Sequence, residues 1–307
     1  MNVEIYSEWL RRQGQTVLRS PSSYWHSAGF GVCQAFPYHW LIQPPAEELR
    51  ELMAGARVAA LRYSLPAGGP GGNPSYHVIY QADDYGLESL RSWARKNVRR
   101  GLRQCEVTPI SFARYVEEGW ELRLDTLARQ GRRVQESQRD WRRRYLAAAE
   151  LPGFEVWGAM VQGRLAATLV VFQLDNWFYL LYQQCHSGYL REHVNNALSF
   201  TVTRNLVGRP ATRGVFYGMQ SLDAPSSVDE FKLRMGYEAR PVRQSVAFHP
   251  VLALLANRFS QQALRAAKGL RPGSRWLAKT EGLLRLHLAE KHHTPEPLNP
   301  RYDCATK

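Results

Sequence analysis

Two dipeptides constrain what this chain can fold into more than any other feature. Gln162-Gly163 and Asp175-Asn176 separate three runs rich in β-branched and aromatic residues, Phe154–Val161, Leu165–Leu174 and Trp177–Gln184. Two-residue connections of that chemistry are hairpin turns, so the three runs are predicted to pair in sequence. A helical stretch, Arg191–Leu206, follows, and then a short strand-like run, Gly214–Gly218. A second helix opens near the Ser226-Ser227 cap and closes near Gly236, and a last strand, Val242–Phe248, ends the unit. The predicted order is β-β-β-α-β-α-β. With a helix as crossover, Phe178–Gln184 is expected to lie parallel to Gly214–Gly218.

The 307 residues are 44% hydrophobic and 11% aromatic, enough to bury a core and too apolar for a disordered chain. No stretch approaches the ~18–20 apolar residues that span a bilayer. Met1–Arg12 lacks the apolar core of a signal peptide, and a cytoplasmic setting is expected. Cys33, Cys105, Cys185 and Cys304 form no C-x-x-C pair, which argues against a structural zinc site or a disulfide framework. His186 and His193 near Cys185 match no standard zinc spacing, so no metal is expected.

Charge is distributed unevenly. Of a net +13, residues 91–144 hold 15 Lys/Arg against 7 Asp/Glu and residues 251–290 hold 7 against 2, while the remainder balances. The excess therefore sits in two segments that both read as helical, either as solvated faces or as surfaces for a polyanion or anionic cofactor. In the first segment Leu87, Leu90, Trp93, Ala94, Val98 and Leu102 form one apolar stripe. Arg91, Arg95 and Arg99 recur every four residues beside Lys96, Arg100 and Arg103, a mutually repelling row that an anionic ligand would offset. These six are the candidate nucleic-acid-binding residues. Phe112–Leu127 reads as a further helix. Trp141, set among Arg139, Arg142, Arg143 and Arg144, serves equally well as a stacking platform or as a core anchor.

Residues 1–22 carry no clear pattern. Aromatic residues cluster among small ones over Ser23–Leu41, which suggests strands and turns. Ala46–Met53 reads as a short helix and Val58–Tyr63 as a strand. Leu65–Ser75 is a Gly/Pro-rich loop without the Gly-Lys-Ser/Thr of a P-loop, and reads as a connection more than as a lid. After Pro250, Leu252, Leu254, Leu255, Phe259, Leu264 and Leu283 keep helical register among Lys268, Arg271, Arg275 and Lys279. The ordinary reading is a helical pair packed on the domain, the alternative a peripheral contact with an anionic membrane. Residues 292–307 read as disordered.

Several short motifs in this order resemble a known family. They are Tyr189-Leu190-Arg191, Asn195-Asn196-Ala197-Leu198, Val215-Phe216-Tyr217-Gly218 and Phe231-Lys232-x-x-x-Gly236-Tyr237. The last is similar to an FK-x-x-F-G signature, with Met235 where an aromatic residue is usual. Upstream, Tyr76–Ile79 followed by Leu87–Arg103 resembles a strand-then-basic-helix element. The set resembles the GNAT acyltransferase superfamily, in the branch related to the FemAB peptidoglycan aminoacyltransferases, over about two-thirds of the chain. The implied fold is α/β, strictly α+β with a mixed central sheet. Residues 1–150 would form a partial N-terminal half with basic helices, 151–250 the acyltransferase core, and 251–307 a basic helical extension and flexible tail.

Acyl transfer to an amine needs a positioned donor, a deprotonated acceptor nitrogen and a group that stabilises the tetrahedral oxyanion. The resemblance puts Lys232 in the last role, with Phe231 shaping the pocket. Tyr217 and Tyr182 lie on the strands expected to border the donor, as proton donors or as packing residues, and Asp223 and Glu230 are candidate bases. Gln184, Gly188, Arg191 and Asn196 complete the expected donor site with Tyr182. Acetyl-CoA enzymes of this fold cradle the pyrophosphate in a glycine-rich turn at a helix N-terminus. Gln184–Arg191 holds only one glycine there. The expected function is N-acyl transfer from acyl-CoA, slightly favoured, or from aminoacyl-tRNA, to an amine on a small molecule, peptide or cell-envelope precursor. The other class of reading is a non-catalytic RNA- or membrane-binding adaptor on the same fold.

Overall fold

A computed structural model of the chain describes residues 3–29, 31–55, 58–134, 136–220, 226–271 and 274–291. These fall into two compact units. The first gathers residues 3–14, 78–218 and 226–238, and the second residues 15–77, 219–220 and 239–291.

The first unit begins with α1 (Val3–Arg12), which buries Tyr6, Trp9 and Leu10. Tyr6 packs on Phe172 and Trp9 on Phe154, with ring centroids 5.1 and 5.0 Å apart. The segment that reads as patternless is therefore a helix, and its apolar residues at i, i+3 and i+4 are the signal for it.

In the second unit β1 (Val17–Arg19), β2 (Tyr24–Ser27), β3 (Val32–Phe36), α2 (Ala46–Ala54) and β4 (Ala60–Leu65) follow in order. Its strand order is β1-β2-β3-β4-β11, where β11 is Glu238–Phe248. Only the β3–β4 pair is parallel. Next, β5 (Asn73–Tyr80) runs from this unit into the first. Asn73 and Ser75, expected in a loop, already belong to β5, and the buried Asn73 amide donates to Leu286 O at 2.6 Å.

The first unit resumes with α3 (Ser92–Gln104), β6 (Glu106–Ile110), α4 (Phe112–Arg129) and α5 (Gln138–Ala149). The arginine-rich stretch 129–144 is thus a break followed by a helix. Trp141 is fully buried, with its ring on Tyr115, Trp120 and Tyr145, and it anchors α5 to the core. Along α3 the buried residues are Ala94, Asn97, Val98 and Gly101, while Trp93 and Leu102 are exposed. The expected apolar stripe is therefore rotated, because α3 packs through its small residues. A Cβ at Gly101 would lie 2.6 Å from His193 O and 3.0 Å from the Ala197 Cβ.

The meander follows as β7 (Phe154–Val161), β8 (Arg164–Leu174) and β9 (Trp177–Cys185). Val161 pairs with Arg164 and Leu174 with Trp177, so both predicted dipeptides are the turns. Gln162 and Gly163 take φ of 49° and 79°, the left-handed pair that a type I′ turn requires. α6 (Val194–Val207) and β10 (Gly214–Met219) come next, and β10 pairs parallel to β9 as expected. α7 (Ser226–Arg234) then leads into β11. The strand order within this unit is β10-β9-β8-β7-β6. β8 is buried at nearly every position because α4 covers one face and α6 the other.

The second unit ends with α8 (Pro250–Leu255), α9 (Arg258–Leu270) and α10 (Arg275–Lys291). Leu283 and Leu286 of α10 pack on Ala60 and Val246. The Glu290 carboxylate accepts from Gly72 N (2.7 Å) and Ser245 Oγ (2.8 Å). The expectation for 292–307 lies outside the described residues.

Candidate active site

The parallel ladder between β9 and β10 is short. It joins Trp177–Tyr179 to Gly214–Phe216 and stops there, although both strands continue. Beside its end, the β8–β9 register shifts so that Leu181 is an extra residue on β9. A bulge bends its strand, and here it turns β9 away from β10. The two strands therefore part, leaving a notch where polar side chains gather.

Tyr217 of β10 donates a short hydrogen bond to Gln183 Oε1 of β9 across the notch. Ser199 Oγ of α6 stands 3.2 Å from both Gln183 Oε1 and the Tyr217 hydroxyl. Burial raises the Tyr217 pKa to about 12, so the hydroxyl stays protonated at ordinary pH. Lys232 Nζ lies 5.3 Å from the centre of the Tyr217 ring and 2.9 Å from Asp229 Oδ1. The side chains of Lys232 and Asp229 are only 12% and 8% exposed, so the ammonium is held in a largely dry place with its counter-ion beside it. Gly218 has a φ of +146°, and a Cβ there would sit 3.5 Å from Lys232 Nζ. The glycine thus gives the backbone a conformation other residues adopt only under strain and leaves the space over the ammonium open. Thr203 Oγ1 and the Tyr237 hydroxyl, 2.6 Å apart, and the Tyr217–Tyr237 ring contact tie α6 and β10 to the segment that follows α7.

The connection from β9 to α6 passes through a 3₁₀ turn, Ser187–Tyr189, and a left-handed His193. That is why α6 starts at Val194 and not at Arg191. Asp125 of α4 accepts from Ser187 N (2.9 Å) and Ser187 Oγ (2.6 Å). Gly188 N donates to His186 Nδ1 (3.0 Å), Tyr189 N to His186 O and Leu190 N to Ser187 O. All four of these amides are committed within the fold. What the region does offer is a cavity of about 220 Å³ lined by Arg100, Arg103, Gln104, Arg191, Glu192 and His193. Gly101 permits this cationic cleft, by letting α3 approach the start of α6.

The expected site residues separate into groups. Lys232 and Tyr217 come together, and Asn196 Nδ2 lies 3.6 Å from the sulfur of Met235, just past the end of α7. Phe231 is half-buried on α7, and Glu230 accepts from Arg234 at 3.1 Å. Tyr182 and Gln184 turn to the opposite face of β9, where Tyr182 meets the Tyr145 ring and Gln184 accepts from the Tyr115 hydroxyl. Arg191, Arg100 and Arg103 share the cationic cleft, and Gly188 lies in the turn near it. Lys96 and Arg99 are exposed on α3 and Arg91 is exposed just before it, while Arg95 folds back to donate to Leu90 O at 3.2 Å. Asp223 lies outside the described residues. Sequence reasoning missed Gln183, Ser199 and Asp229. Only Asp229 left a signal, its position three residues before Lys232 on a helix. Among the described residues no cluster of His, Cys, Asp and Glu is placed to hold a metal ion.

Together the parted parallel strands, the crossover helix and the meander define a GNAT-like fold with a mixed sheet and a C-terminal helical extension. Solved structures share this fold. FemX superposes with a TM-score of 0.56 at 11% identity, over 82% of this chain and 93% of that one. The C-terminal DUF2156 domain of a putative lysylphosphatidylglycerol synthetase from Agrobacterium fabrum gives 0.55 at 13% identity, over 82% and 90%. L-PGS from Bacillus licheniformis gives 0.52 at 11% identity, over 81% and 92%. No protein-family model matches the sequence. No curated protein matches it significantly either.

Proposed function

We propose that the chain is an N-acyltransferase that passes an acyl or aminoacyl group from a phosphate-bearing activated donor to an amine. The observation that carries this reading is the notch between β9 and β10 with the dry Lys232–Asp229 pair at its edge. The acceptor nitrogen attacks the carbonyl carbon of a thioester or ester and sheds a proton to solvent. The carbonyl oxygen takes up negative charge opposite the Lys232 ammonium, whose field is strong because little water screens it. The bond to the leaving sulfur or oxygen then breaks, and the Tyr217 hydroxyl supplies its proton, to be restored from solvent. Asp229, 2.9 Å away, holds the ammonium in place. The fold shared with FemX and L-PGS supports the same class of reaction.

Between the two donors, aminoacyl-tRNA is favoured. The Ser187–Leu190 amides are committed to Asp125 and to their own turn, so phosphate recognition falls to the side chains of Arg100, Arg103 and Arg191. Exposed Arg91, Lys96 and Arg99 continue the positive charge along α3 beyond the cleft, which suits a polyanion more than a single nucleotide. The acceptor is an amine of a cell-envelope precursor or other small molecule. The test is transfer of radiolabelled amino acid from a charged tRNA pool to amine acceptors, with acetyl-CoA in parallel. Transfer from neither donor by the wild type refutes the reading.

A further inference from the structure

The second unit ends in a surface that nothing in the acyl-transfer reading uses. Val251, Leu254 and Leu255 of α8 are 62%, 81% and 64% exposed, and Phe259 and Leu270 of α9 are 84% and 85% exposed. On α9, Phe259, Ala263, Ala266 and Leu270 recur at i, i+4, i+7 and i+11, one continuous apolar face. That face is turned outward. The other apolar side chains of α9, Leu264 and Ala267, are the half-buried ones, and α10 is the neighbour of this helix. Soluble chains rarely leave several large side chains on adjoining turns this exposed without a use for them.

Charge indicates the occupant. Pro250–Arg271 contains Arg258, Arg265, Lys268 and Arg271 and no acidic residue. Arg265, Lys268 and Arg285 share one carboxylate, Glu281, at 3.1, 4.0 and 4.0 Å, so a positive surplus remains. A second copy of the chain docking by the same face would bring cation against cation. The chain's own residues 292–307 supply only Leu298 and Tyr302 as large apolar side chains, too few to cover the stripe. We infer that α8 and α9 form a peripheral membrane-docking surface for an anionic bilayer, with Leu254, Leu255, Phe259 and Leu270 entering the interface and Arg258 and Arg271 meeting lipid phosphates. An apolar face bordered by arginines, with no acidic residue, is the pattern of helices that lie in the plane of an anionic membrane.

The experiment is co-sedimentation of the full chain with vesicles of phosphatidylcholine alone and of phosphatidylcholine mixed with phosphatidylglycerol. The expected result is binding to the mixed vesicles that weakens with salt, and at least about tenfold less binding to neutral ones. Leu254→Glu/Phe259→Glu should lower binding at least about tenfold, since an apolar anchor becomes a repelled charge. Arg258→Gln/Arg271→Gln should lower it about tenfold and flatten the salt dependence. These positions are exposed, so circular dichroism should be unchanged and unfolding is separable from weakened binding. Equal binding of the wild type to both vesicle types, or binding that Leu254→Glu/Phe259→Glu leaves intact, overturns the inference. So does a concentration-dependent dimer in sedimentation velocity that Phe259→Glu abolishes, which would assign the face to a second copy.

Discussion

On one face of β9, Tyr182 and Gln184 meet Tyr145 of α5 and Tyr115 of α4; on the other, Gln183 meets Tyr217 of β10 and Ser199 of α6. Both faces bury tyrosine hydroxyls, and burial raises the pKa of Tyr115, Tyr145 and Tyr217 alike. They differ in what surrounds those hydroxyls. The first face is closed by Trp141 and the rings of Tyr115, Trp120 and Tyr145, whose centroids lie 4.5–5.7 Å from its own. The second has the notch left where β9 and β10 part, a glycine at its rim and an ammonium beside it. A buried tyrosine is a packing residue by default; an opening and a charge are what make it a chemical one.

The largest effect expected is on the closed face. Trp141→Ala removes a fully buried ring and should cost about 3–5 kcal/mol of stability. Denaturant unfolding measures this, and turnover per folded molecule should stay within about threefold if that face is structural only. A variant that keeps its stability but loses turnover would erase the distinction between the faces.

On the open face, Lys232→Ala should lower turnover about 10²–10³-fold, the usual effect of removing one oxyanion-stabilising group. Sequence alone would also predict an unchanged fold, as for any solvated lysine. The structure changes that expectation, since the buried Asp229 carboxylate would lose the ammonium that lies 2.9 Å from it. The double variant Asp229→Asn/Lys232→Met removes both charges and should recover stability without recovering turnover. Recovery of both would make the pair a structural ion pair.

The pair Tyr217→Phe and Tyr145→Phe makes the same chemical change on the two faces. The first should cost about 10²-fold in turnover, the low end for a positioned proton donor. The second should change turnover by less than about threefold. Equal losses would move the chemistry away from the notch.

How much of this was legible depends on distance along the chain. The meander, its two turns and the parallel return of β10 were readable because each is local: a turn dipeptide, an apolar alternation, one helix between two strands. Lys232 was readable only through its motif. Gln183 and Ser199 were not, because they lie on different elements and neither has an unusual neighbour in sequence. Tyr182 and Gln184 lie on the face away from Tyr217 because the extra residue Leu181 decides which β9 side chains turn toward β10, and a bulge has no composition signal here. Trp141 among arginines was undecidable locally, since its burial depends on Tyr115 and Trp120 of the preceding helix.

The smallest expected effect concerns the donor, and it tests whether the open face is served by a polyanion. Removing one cation that pairs with a phosphate should flatten the plot of log affinity against log salt by about one unit. Arg100→Gln/Arg103→Gln should therefore flatten it by about two for tRNA and weaken binding only several-fold at low salt. These changes alone do not choose the donor, because the phosphates of coenzyme A would also use the cleft. Lys96→Gln/Arg99→Gln chooses: both side chains are exposed on α3, and neither lines the cleft. With tRNA as donor, the nucleic acid extends past the cleft, so these changes should flatten the slope by about two more. With acyl-CoA, they should leave affinity and slope unchanged, and tRNA should not bind even at low salt. That second outcome would leave the notch, its lysine and the cleft in place but reassign Lys96 and Arg99, the α3 cations outside the cleft, to an ordinary solvated face.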